Sequence, residues 1–421
     1  MRFLGFKIQG GASSEANVFA TLLGNRGEAF DAKVVYHHWG DGDGFGRFRS
    51  LANADVQTID VGLRPASEAA SRWAKLLRVV KYRLSFPEVL AIAKKYRPDV
   101  VYSSQQLWDS ALAGSVARSL GVPQIVHLHF NIGPWLSTGF SQTPRALKAT
   151  RTVLGLADPL ATIRSCAHVV TVSDFLRDQV MEFGVSPERV STVHNAMRIQ
   201  SIEPGARQKI RRELSIPEDA IMIANAGNLL ESKGQLETVQ AFAQLRQKFK
   251  QIRLIIAGDG PARAQLEALI VEHRLQQMVQ LVGHRNDIPD FLSASDIFVH
   301  PSRRDPFPLA VLEGLAAGLP VVAWADGGVT EQVVHERTGL LVPTGNVEAL
   351  GSALATLIAN PELRQRMGEQ ARESVATQLS PAQAVGQFVD VLQRVTERAR
   401  ADEAGGRSRS SRRNRRSPAV P

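Results

Sequence analysis

The sequence has little of what would place the protein in an oxidising compartment or inside a membrane. Among its 421 residues only Cys166 is a cysteine, which excludes an intrachain disulfide. No apolar run approaches the ~20 residues that a membrane-spanning helix needs. The apolar stretch over residues 1–8 is too short for a signal peptide. We therefore expect a cytoplasmic protein, either free or peripheral on the cytoplasmic membrane face.

A dinucleotide-binding signature is also missing. Gly10 and Gly11 follow the first predicted strand and precede a helix, so their backbone can approach a ligand closely. They lack the G-x-G-x-x-G spacing of dinucleotide-binding proteins, which counts against an NAD enzyme. His127 and His129 lie two apart on a predicted strand and face one side, but no third metal ligand is evident at a useful spacing.

The net charge of +9 is concentrated in two segments. Residues 401–421 carry six arginines against Asp402 and Glu403, are rich in Gly and Ser, and are predicted to be a disordered, solvated tail. Residues 64–97 carry nine Lys or Arg against two glutamates, with apolar residues at helical spacing. That segment is either a basic helix on an anionic membrane or an ordinary core-facing helix with a charged outer side. We expect no nucleic-acid partner.

Strand and helix patterns alternate twice along the chain. Such alternation predicts mostly parallel, doubly wound sheets, and hence an α/β protein of two Rossmann-like domains facing across a cleft. The pattern lapses near residues 196–206, where we predict a hinge. The predicted strands are Phe3–Ile8, Lys33–Trp39, Val100–Ser103, Gln124–Phe130, Val169–Ser173 and Ser191–Asn195, then Ile221–Ala226, Arg253–Ala257, Val279–Val282, Ile297–His300, Val321–Trp324 and Leu340–Val342.

The most informative stretch is 294-ASDIFVHPSRRDPFPLAVLEGLAAGLPVVAWADGG-328. It predicts a buried strand, a turn, a short helix with Pro308 in its first turn, and a second strand. Gly318 and Pro320 end the helix, and Gly314 lets it lie close to the sheet. Asp305 stands just before the helix and Glu313 inside it. A carboxylate beside a phosphate-binding helix end suits a sugar or ribose hydroxyl.

This stretch resembles the E-x7-E signature of the retaining glycosyltransferases of family 4, which have the GT-B fold. The segment 227-GNLLESKG-234 resembles the family's G-R-x-x-x-x-K-G pattern, and 123-PQIVHLH-129 resembles its P-x-V-x-T-x-H segment. Residues 169–180 and 192–196 resemble its V-S-x-F and H-N-G segments, and residues 282–302 a block whose early loop lies near the nucleotide base. The sequence departs from the family at Asp305, which replaces glutamate, at Asn228, which replaces arginine, and at Ala196, which replaces glycine.

The resemblance implies transfer of a sugar from a nucleotide-diphosphate donor to a hydroxyl acceptor, with retained anomeric configuration and without metal or cofactor. The acceptor is a glycan, a lipid-linked molecule or a small molecule. We then expect residues 1–200 to bind the acceptor, residues 201–380 to bind the donor, and residues 381–400 to form a C-terminal helix that packs back on the first domain.

By the same resemblance each motif residue has an expected role. His129 contacts the transferred sugar, Lys233 neutralises the diphosphate, and Asp305 binds hydroxyls of the donor sugar. Glu313 accepts hydrogen bonds from the ribose. The remaining expected donor contacts are Gly10, Gly11, Asn228, Arg285 and the backbone of Phe307, Leu309 and Ala310.

Two alternatives stay open at this point. One is a GT-B enzyme of another type, such as an epimerase or phosphorylase. The other is a non-enzymatic descendant that binds a nucleotide sugar without turnover, which Asn228 and Asp305 would favour. Losing the charged hydrogen bonds of an arginine at position 228 would cost about 1–3 kcal/mol of binding.

Overall fold

The computed structural model describes residues 1–8, 14–38, 52–60, 84–104, 107–132, 159–197, 199 and 201–414. Within it the chain forms two compact units. The first unit comprises Met1–Val172, Arg177–Val193 and Ala384–Pro421. The second comprises Ser173–Leu176 and His194–Gln383. Gly10, Gly11 and most of the basic segment at 64–97 lie outside the described residues.

The first unit is built on a parallel sheet of seven strands in the order β3-β2-β1-β4-β5-β6-β7. The strands are β1 Arg2–Ile8, β2 Asp31–His38, β3 Asp55–Asp60, β4 Val100–Ser104, β5 Gln124–Leu128, β6 His168–Thr171 and β7 Val190–Thr192. Six of them match predicted strands. The prediction missed β3, because this edge strand carries only Val56 and Ile59 as large apolar residues.

Helices cover both faces of this sheet. They are α1 Ser14–Gly24, α2 Phe86–Tyr96, α3 Leu107–Leu120, α4 Pro159–Ser165 and α5 Asp174–Glu182. On one face Leu4 and Val101 pack with Val89 of α2 and Val116 of α3. On the other face, the rings of Phe3, Phe19 and Tyr102 pack together. Successive strand residues point to opposite faces, so a two-sided apolar pattern predicts this double cover.

The last helix of the chain, α13 Pro381–Asn414, contributes to the same core. The centroid of the Phe388 ring lies 5.5 Å from that of the Tyr102 ring and 6.1 Å from that of the Phe3 ring. The helix continues to Asn414, into the segment predicted as a disordered tail. Half of residues 401–414 are arginine, alanine or glutamate, which favour helical geometry, whereas Gly405 and Gly406 oppose it.

The second unit repeats the design with six parallel strands in the order β10-β9-β8-β11-β12-β13. These are β8 Ile221–Ala226, β9 Ile252–Ala257, β10 Val279–Gly283, β11 Ile297–His300, β12 Val321–Trp324 and β13 Gly339–Val342. All six match predicted strands within one residue at each end. The accompanying helices are α6 Ala206–Glu213, α7 Gln235–Leu245, α8 Arg263–Glu272, α9 Ile288–Ser293, α10 Leu309–Ala316, α11 Val347–Ala359 and α12 Pro361–Thr377.

Close helix packing in this unit depends on a glycine. An added Cβ at Gly314 of α10 would lie 2.8 Å from the ring of Phe298 on β11, too close for any side chain. On the opposite face, Ile256 and Val299 pack into a large apolar cluster with Phe242 of α7 and Leu354 of α11. The prediction of two parallel, doubly wound sheets is therefore confirmed. In the part of the chain that the structure describes, no helix is both long and apolar enough to span a membrane.

Candidate active site

The strand β11, the turn after it and the helix α10 fold as the sequence predicts, with one small difference. Pro308 has extended backbone angles (φ −63°, ψ 120°) and caps the helix, so the helix begins at Leu309 rather than at the proline. At the other end the Leu319 N–H donates to the Gly314 carbonyl oxygen at 3.1 Å, and Gly318 takes the left-handed conformation (φ +78°). The turn between Pro301 and Pro308 is thus held between a buried strand and a rigid helix.

The structure brings Lys233 and Asp305 together, although they are distant in sequence. The Lys233 Nζ donates to Asp305 Oδ2 at 2.5 Å. The carboxylate is largely buried, and the lysine side chain is 29% exposed. Lys233 ends the short 3₁₀ helix Glu231–Lys233, which follows β8, and Asp305 follows β11. Because β8 and β11 are neighbours in a parallel sheet, both residues lie at its carboxyl edge, where α/β proteins bind ligands.

A buried histidine completes this cluster. His300 is 1% exposed, and its Nε2 lies 3.9 Å from Asp305 Oδ2. Burial alone would raise the pKa of Asp305, but the neighbouring His300 and Lys233 outweigh it and lower that pKa to about 2. Burial lowers the pKa of His300. At neutral pH the cluster therefore holds an ionised carboxylate, an ammonium group and a neutral imidazole.

Two glycines allow the close backbone packing around Lys233 and Asp305. Gly234 has φ +74°, and a Cβ there would lie 2.1 Å from the Pro301 carbonyl oxygen, so glycine lets the Lys233 loop rest on the exit of β11. Gly327 has φ +64°, and a Cβ there would lie 2.4 Å from the Asp305 carbonyl oxygen. Only glycine fits such close backbone approaches.

The other residues predicted on this motif line the start of α10. Phe307 and Leu309 are buried, whereas Ala310 and Glu313 are partly exposed. Ala310 and Glu313 are three positions apart and therefore share one face of the helix. The Phe307 ring stacks against that of His194, with centroids 5.1 Å apart. One face of α10 therefore carries the Glu313 carboxylate, and the N-terminal end of α10 follows Asp305 by four residues.

Asn228 is exposed on the loop after β8. Its carbonyl oxygen accepts hydrogen bonds from the Leu230 N–H and the Gln235 side chain. Arg303 is near Asp305 in sequence and could replace the missing cation, but its guanidinium already has partners. Its guanidinium pairs with Glu237 at 3.1 Å and lies 4.5 Å from the Trp324 ring centroid.

Arg285 has a structural explanation in this fold. Its guanidinium donates to Glu213 at 2.8 Å and to Asp287 at 2.6 Å, and only a tenth of the side chain is exposed. Hydrogen bonds from Arg285 lower the pKa of Asp287, as expected for a charge-assisted pair. A role for Arg285 in donor binding stays a prediction, and a donor would have to share a guanidinium that already serves two carboxylates.

His129 belongs to a buried cluster in the first unit. His127 Nδ1 lies 2.8 Å from the Tyr102 hydroxyl, and His129 Nε2 lies 3.4 Å from the Ser104 hydroxyl. The two imidazole centroids are 4.2 Å apart, so both rings lie on one side of β5 as predicted. Burial lowers the pKa of His127 to about 3, which keeps it neutral. Among the described residues, no group of three or more His, Cys, Asp or Glu side chains could hold a metal ion.

Sequence reasoning missed Glu331. This residue ends the 3₁₀ helix Gly327–Glu331, and its carboxylate accepts hydrogen bonds from the N–H groups of Asp174 and Phe175 and from His194. The cap of α5 is local by contrast: the Ser173 hydroxyl accepts from the Leu176 N–H at 3.2 Å. The partners of Glu331 lie more than 130 positions away in sequence. No local pattern therefore signals its role.

Two family models match the sequence in succession. The model of the glycosyl transferase 4-like domain matches residues 10–196, and that of the glycosyl transferases group 1 matches residues 206–374. The junction between them falls within the predicted hinge. Together the two matches cover most of both units, up to residue 374.

Curated relatives and solved structures are similar to the chain. An alpha-D-kanosaminyltransferase of Streptomyces kanamyceticus is 29% identical over 291 residues, which cover 66% of this chain and 72% of that protein. A D-inositol 3-phosphate glycosyltransferase of Saccharomonospora viridis is 30% identical over 65% of either chain. The structure of Anabaena HepE in complex with UDP and glucose has a TM-score of 0.73 at 20% identity, covering 93% of this chain and 99% of that one. The chain spans about half to three quarters of the length of the curated relatives it matches.

Proposed function

This chain belongs to the group 1 glycosyltransferases with the GT-B fold, and we propose that it transfers a sugar from a nucleotide-diphosphate-sugar donor to a hydroxyl acceptor with retention of anomeric configuration. The observation that carries the proposal is the Lys233–Asp305 pair at the carboxyl edge of the second sheet. It joins a phosphate-binding cation and a hydroxyl-binding carboxylate beside the start of α10.

The chemistry follows from the charges of these groups. As the bond between the sugar and the diphosphate breaks, negative charge develops on the leaving oxygen. The Lys233 ammonium and the N–H groups at Leu309 and Ala310 stabilise that charge. Because Lys233 is partly exposed, an incoming diphosphate competes with Asp305 for the ammonium. The released carboxylate then accepts hydrogen bonds from hydroxyls of the donor sugar.

Two further roles are carried over from the family resemblance. Glu313 accepts hydrogen bonds from the ribose hydroxyls, and His129 contacts the transferred sugar. In the family's retaining reaction, the acceptor hydroxyl attacks on the face from which the diphosphate leaves. No metal or cofactor takes part in this proposal.

The similar proteins support a nucleotide-sugar donor and a role in glycan biosynthesis. HepE, which shares the fold, was solved with UDP-glucose. Relatives include a D-inositol 3-phosphate glycosyltransferase and a lipopolysaccharide core glycosyltransferase of Rhizobium meliloti. We propose a role in glycan, polysaccharide or glycolipid biosynthesis in the cytoplasm. Residues 64–97 would contact an anionic membrane if the acceptor is lipid-linked.

A thermal-shift experiment tests the donor site. A panel of nucleotide sugars is added to the wild type, to Glu313→Ala and to the exposed control Glu373→Ala. A ligand that binds only the folded state raises the melting temperature, by the equivalent of about 2.7 kcal/mol at a hundredfold excess over Kd. We expect a shift with one donor in the wild type and the control, and its loss in Glu313→Ala. No shift with any donor, with or without candidate acceptors, would contradict the proposal.

A binding protein without turnover is the second candidate, favoured by the exposed asparagine at position 228. It predicts a thermal shift but no product with any acceptor. If product forms, NMR of its anomeric proton distinguishes retention from inversion, and an inverted product would refute the retaining mechanism.

A further inference from the structure

Glu331 occupies an unusual position for a carboxylate in a short turn. Its side chain is 18% exposed and makes three hydrogen bonds. Oε2 accepts from the Asp174 N–H at 2.8 Å and from His194 Nε2 at 2.9 Å, and Oε1 accepts from the Phe175 N–H at 2.9 Å. The two N–H groups belong to the first residues of α5, where helical partners are absent. All three partners are donors, so both carboxylate oxygens are used.

One route leads from Glu331 to Asp305 through the backbone. Glu331 ends the 3₁₀ helix that begins at Gly327. The Gly328 N–H donates to the Asp305 carbonyl oxygen at 2.8 Å. A Cβ at Gly328 would lie 1.7 Å from the Pro306 carbonyl oxygen. The 3₁₀ helix therefore packs closely against the backbone of Asp305 and Pro306. Because Glu331 anchors the end of this 3₁₀ helix, it also limits how far the backbone of Asp305 can move.

A second, independent route leads to Phe307 through a side chain. The His194 imidazole, held by Glu331, stacks on the Phe307 ring with an angle of 21° between their planes. An imidazole free to rotate would no longer hold Phe307 from that side. Both routes thus end on the consecutive residues Asp305, Pro306 and Phe307.

We propose that Glu331 is a positioning residue for the donor sugar: it holds the Asp305–Phe307 loop in the orientation that the sugar requires. The inference rests on the proposed function, since that function puts this loop on the sugar and Glu313 on the ribose. Glu331 therefore affects binding of the sugar part of the donor more than binding of the nucleotide part.

Glutamine at position 331 is the sharpest probe. It keeps the size of the side chain, but its amide nitrogen is a donor and would face one of the three donors. We expect Glu331→Gln to raise the calorimetric Kd of the nucleotide sugar about tenfold, the equivalent of about 1.4 kcal/mol. The Kd of the corresponding nucleoside diphosphate, which lacks the sugar, should stay within about twofold. Glu373→Gln, an exposed change on α12, should alter neither value.

His194→Phe provides a second variant, because it keeps an aromatic ring against Phe307 and removes the hydrogen bond to Glu331. If the two residues act as one unit, the double variant should weaken sugar binding by less than the product of the single effects. Fully multiplicative effects would overturn the His194 route. Equal weakening of both ligands in Glu331→Gln, or no change in either, would overturn the inference alone. A wild type that binds neither ligand would overturn the proposed function and this inference with it.

Discussion

Two aspartates flank strand β11, and their carboxylates have different environments. Asp296, just before the strand, accepts hydrogen bonds from Arg207 at 2.8 Å, from Arg211 at 2.7 Å and from the Met222 N–H at 2.8 Å. Arg211 is fully buried and also donates to the carbonyl oxygens of residues 217, 220 and 294. Asp296 therefore belongs to a rigid network that joins α6 to the sheet.

Asp305, after the strand, is paired instead with a lysine on a short loop. A guanidinium held by several acceptors cannot leave its carboxylate without exposing a buried charge, whereas the partly exposed lysine ammonium can exchange partners. The difference follows from position: the amino edge of a parallel sheet stabilises the fold, and the carboxyl edge receives ligands. The predictions below test this contrast, beginning with the largest expected effects.

Breaking the Asp296 network should affect stability most. Arg211→Met leaves the Asp296 carboxylate without its buried partner, and the free energy of unfolding should fall by about 3–5 kcal/mol. Donor binding by the folded protein should not change. Urea unfolding measures the first effect and calorimetry at low temperature the second. The neighbouring exposed change Arg212→Met serves as control, and equal losses in the two variants would contradict a structural role for the network.

Removing the cation at the carboxyl edge should affect catalysis. Lys233→Gln should lower kcat about 10²–10³-fold, because one charged donor to the developing oxyanion is lost. The measurement is the initial rate of transfer per folded molecule, with Lys250→Gln as the exposed control. An unchanged kcat would place leaving-group stabilisation elsewhere.

Acid should weaken the Asp305 pair. The folded pKa of Asp305, about 2, lies below the unfolded value of ~3.9, so its ionised form stabilises the folded state above the unfolded pKa. That contribution is about 2–3 kcal/mol in total, and about 1 kcal/mol of it should disappear between about pH 5 and about pH 3.

Urea unfolding at these two pH values, compared between the wild type and Asp305→Asn, measures the loss. The exposed change Asp219→Asn should behave as the wild type does. A stability difference between wild type and Asp305→Asn that does not depend on pH would show that the pair is not ionised as described.

One further substitution should produce a gain rather than a loss. Asn228→Arg restores the second cation of the family pattern and should lower the Kd of a nucleoside diphosphate about tenfold, since a charged donor adds about 1.5 kcal/mol. Asn228→Gln adds length without charge and should leave the Kd near the wild-type value. A weaker affinity in the arginine variant would mean that asparagine is an adaptation to this protein's donor.

The sequence was informative where local patterns decide the structure. A run of four apolar residues marks each of β8 and β9, and the proline and glycine around α10 set its ends to within a residue. The edge strand β3 was missed because it is half polar. Resemblance placed Lys233 and Asp305 in one site, but their direct ion pair depends on the sheet order, which local patterns do not encode.

Long-range contacts account for the remaining gaps. Nothing in the sequence near Arg285 indicates that its guanidinium will donate to Glu213. The two residues lie close together only after α6 packs against the sheet. From the sequence alone, Glu331 is predicted to be an ordinary polar loop residue, because its partners Asp174 and His194 lie close to it only in the folded protein. Side chains whose partners are far apart in sequence are the ones that a single sequence hides.

The most direct test compares the two ends of β11 in one experiment. Asp296→Asn and Asp305→Asn are titrated side by side with the donor identified by thermal shift, at a temperature where both variants are folded. We predict that Asp296→Asn binds the donor as the wild type does, and that Asp305→Asn binds it at least about tenfold more weakly, through loss of charged hydrogen bonds to the sugar. Equal affinity in the two variants, or weakening in Asp296→Asn alone, would contradict the assignment of the carboxyl edge as the donor site.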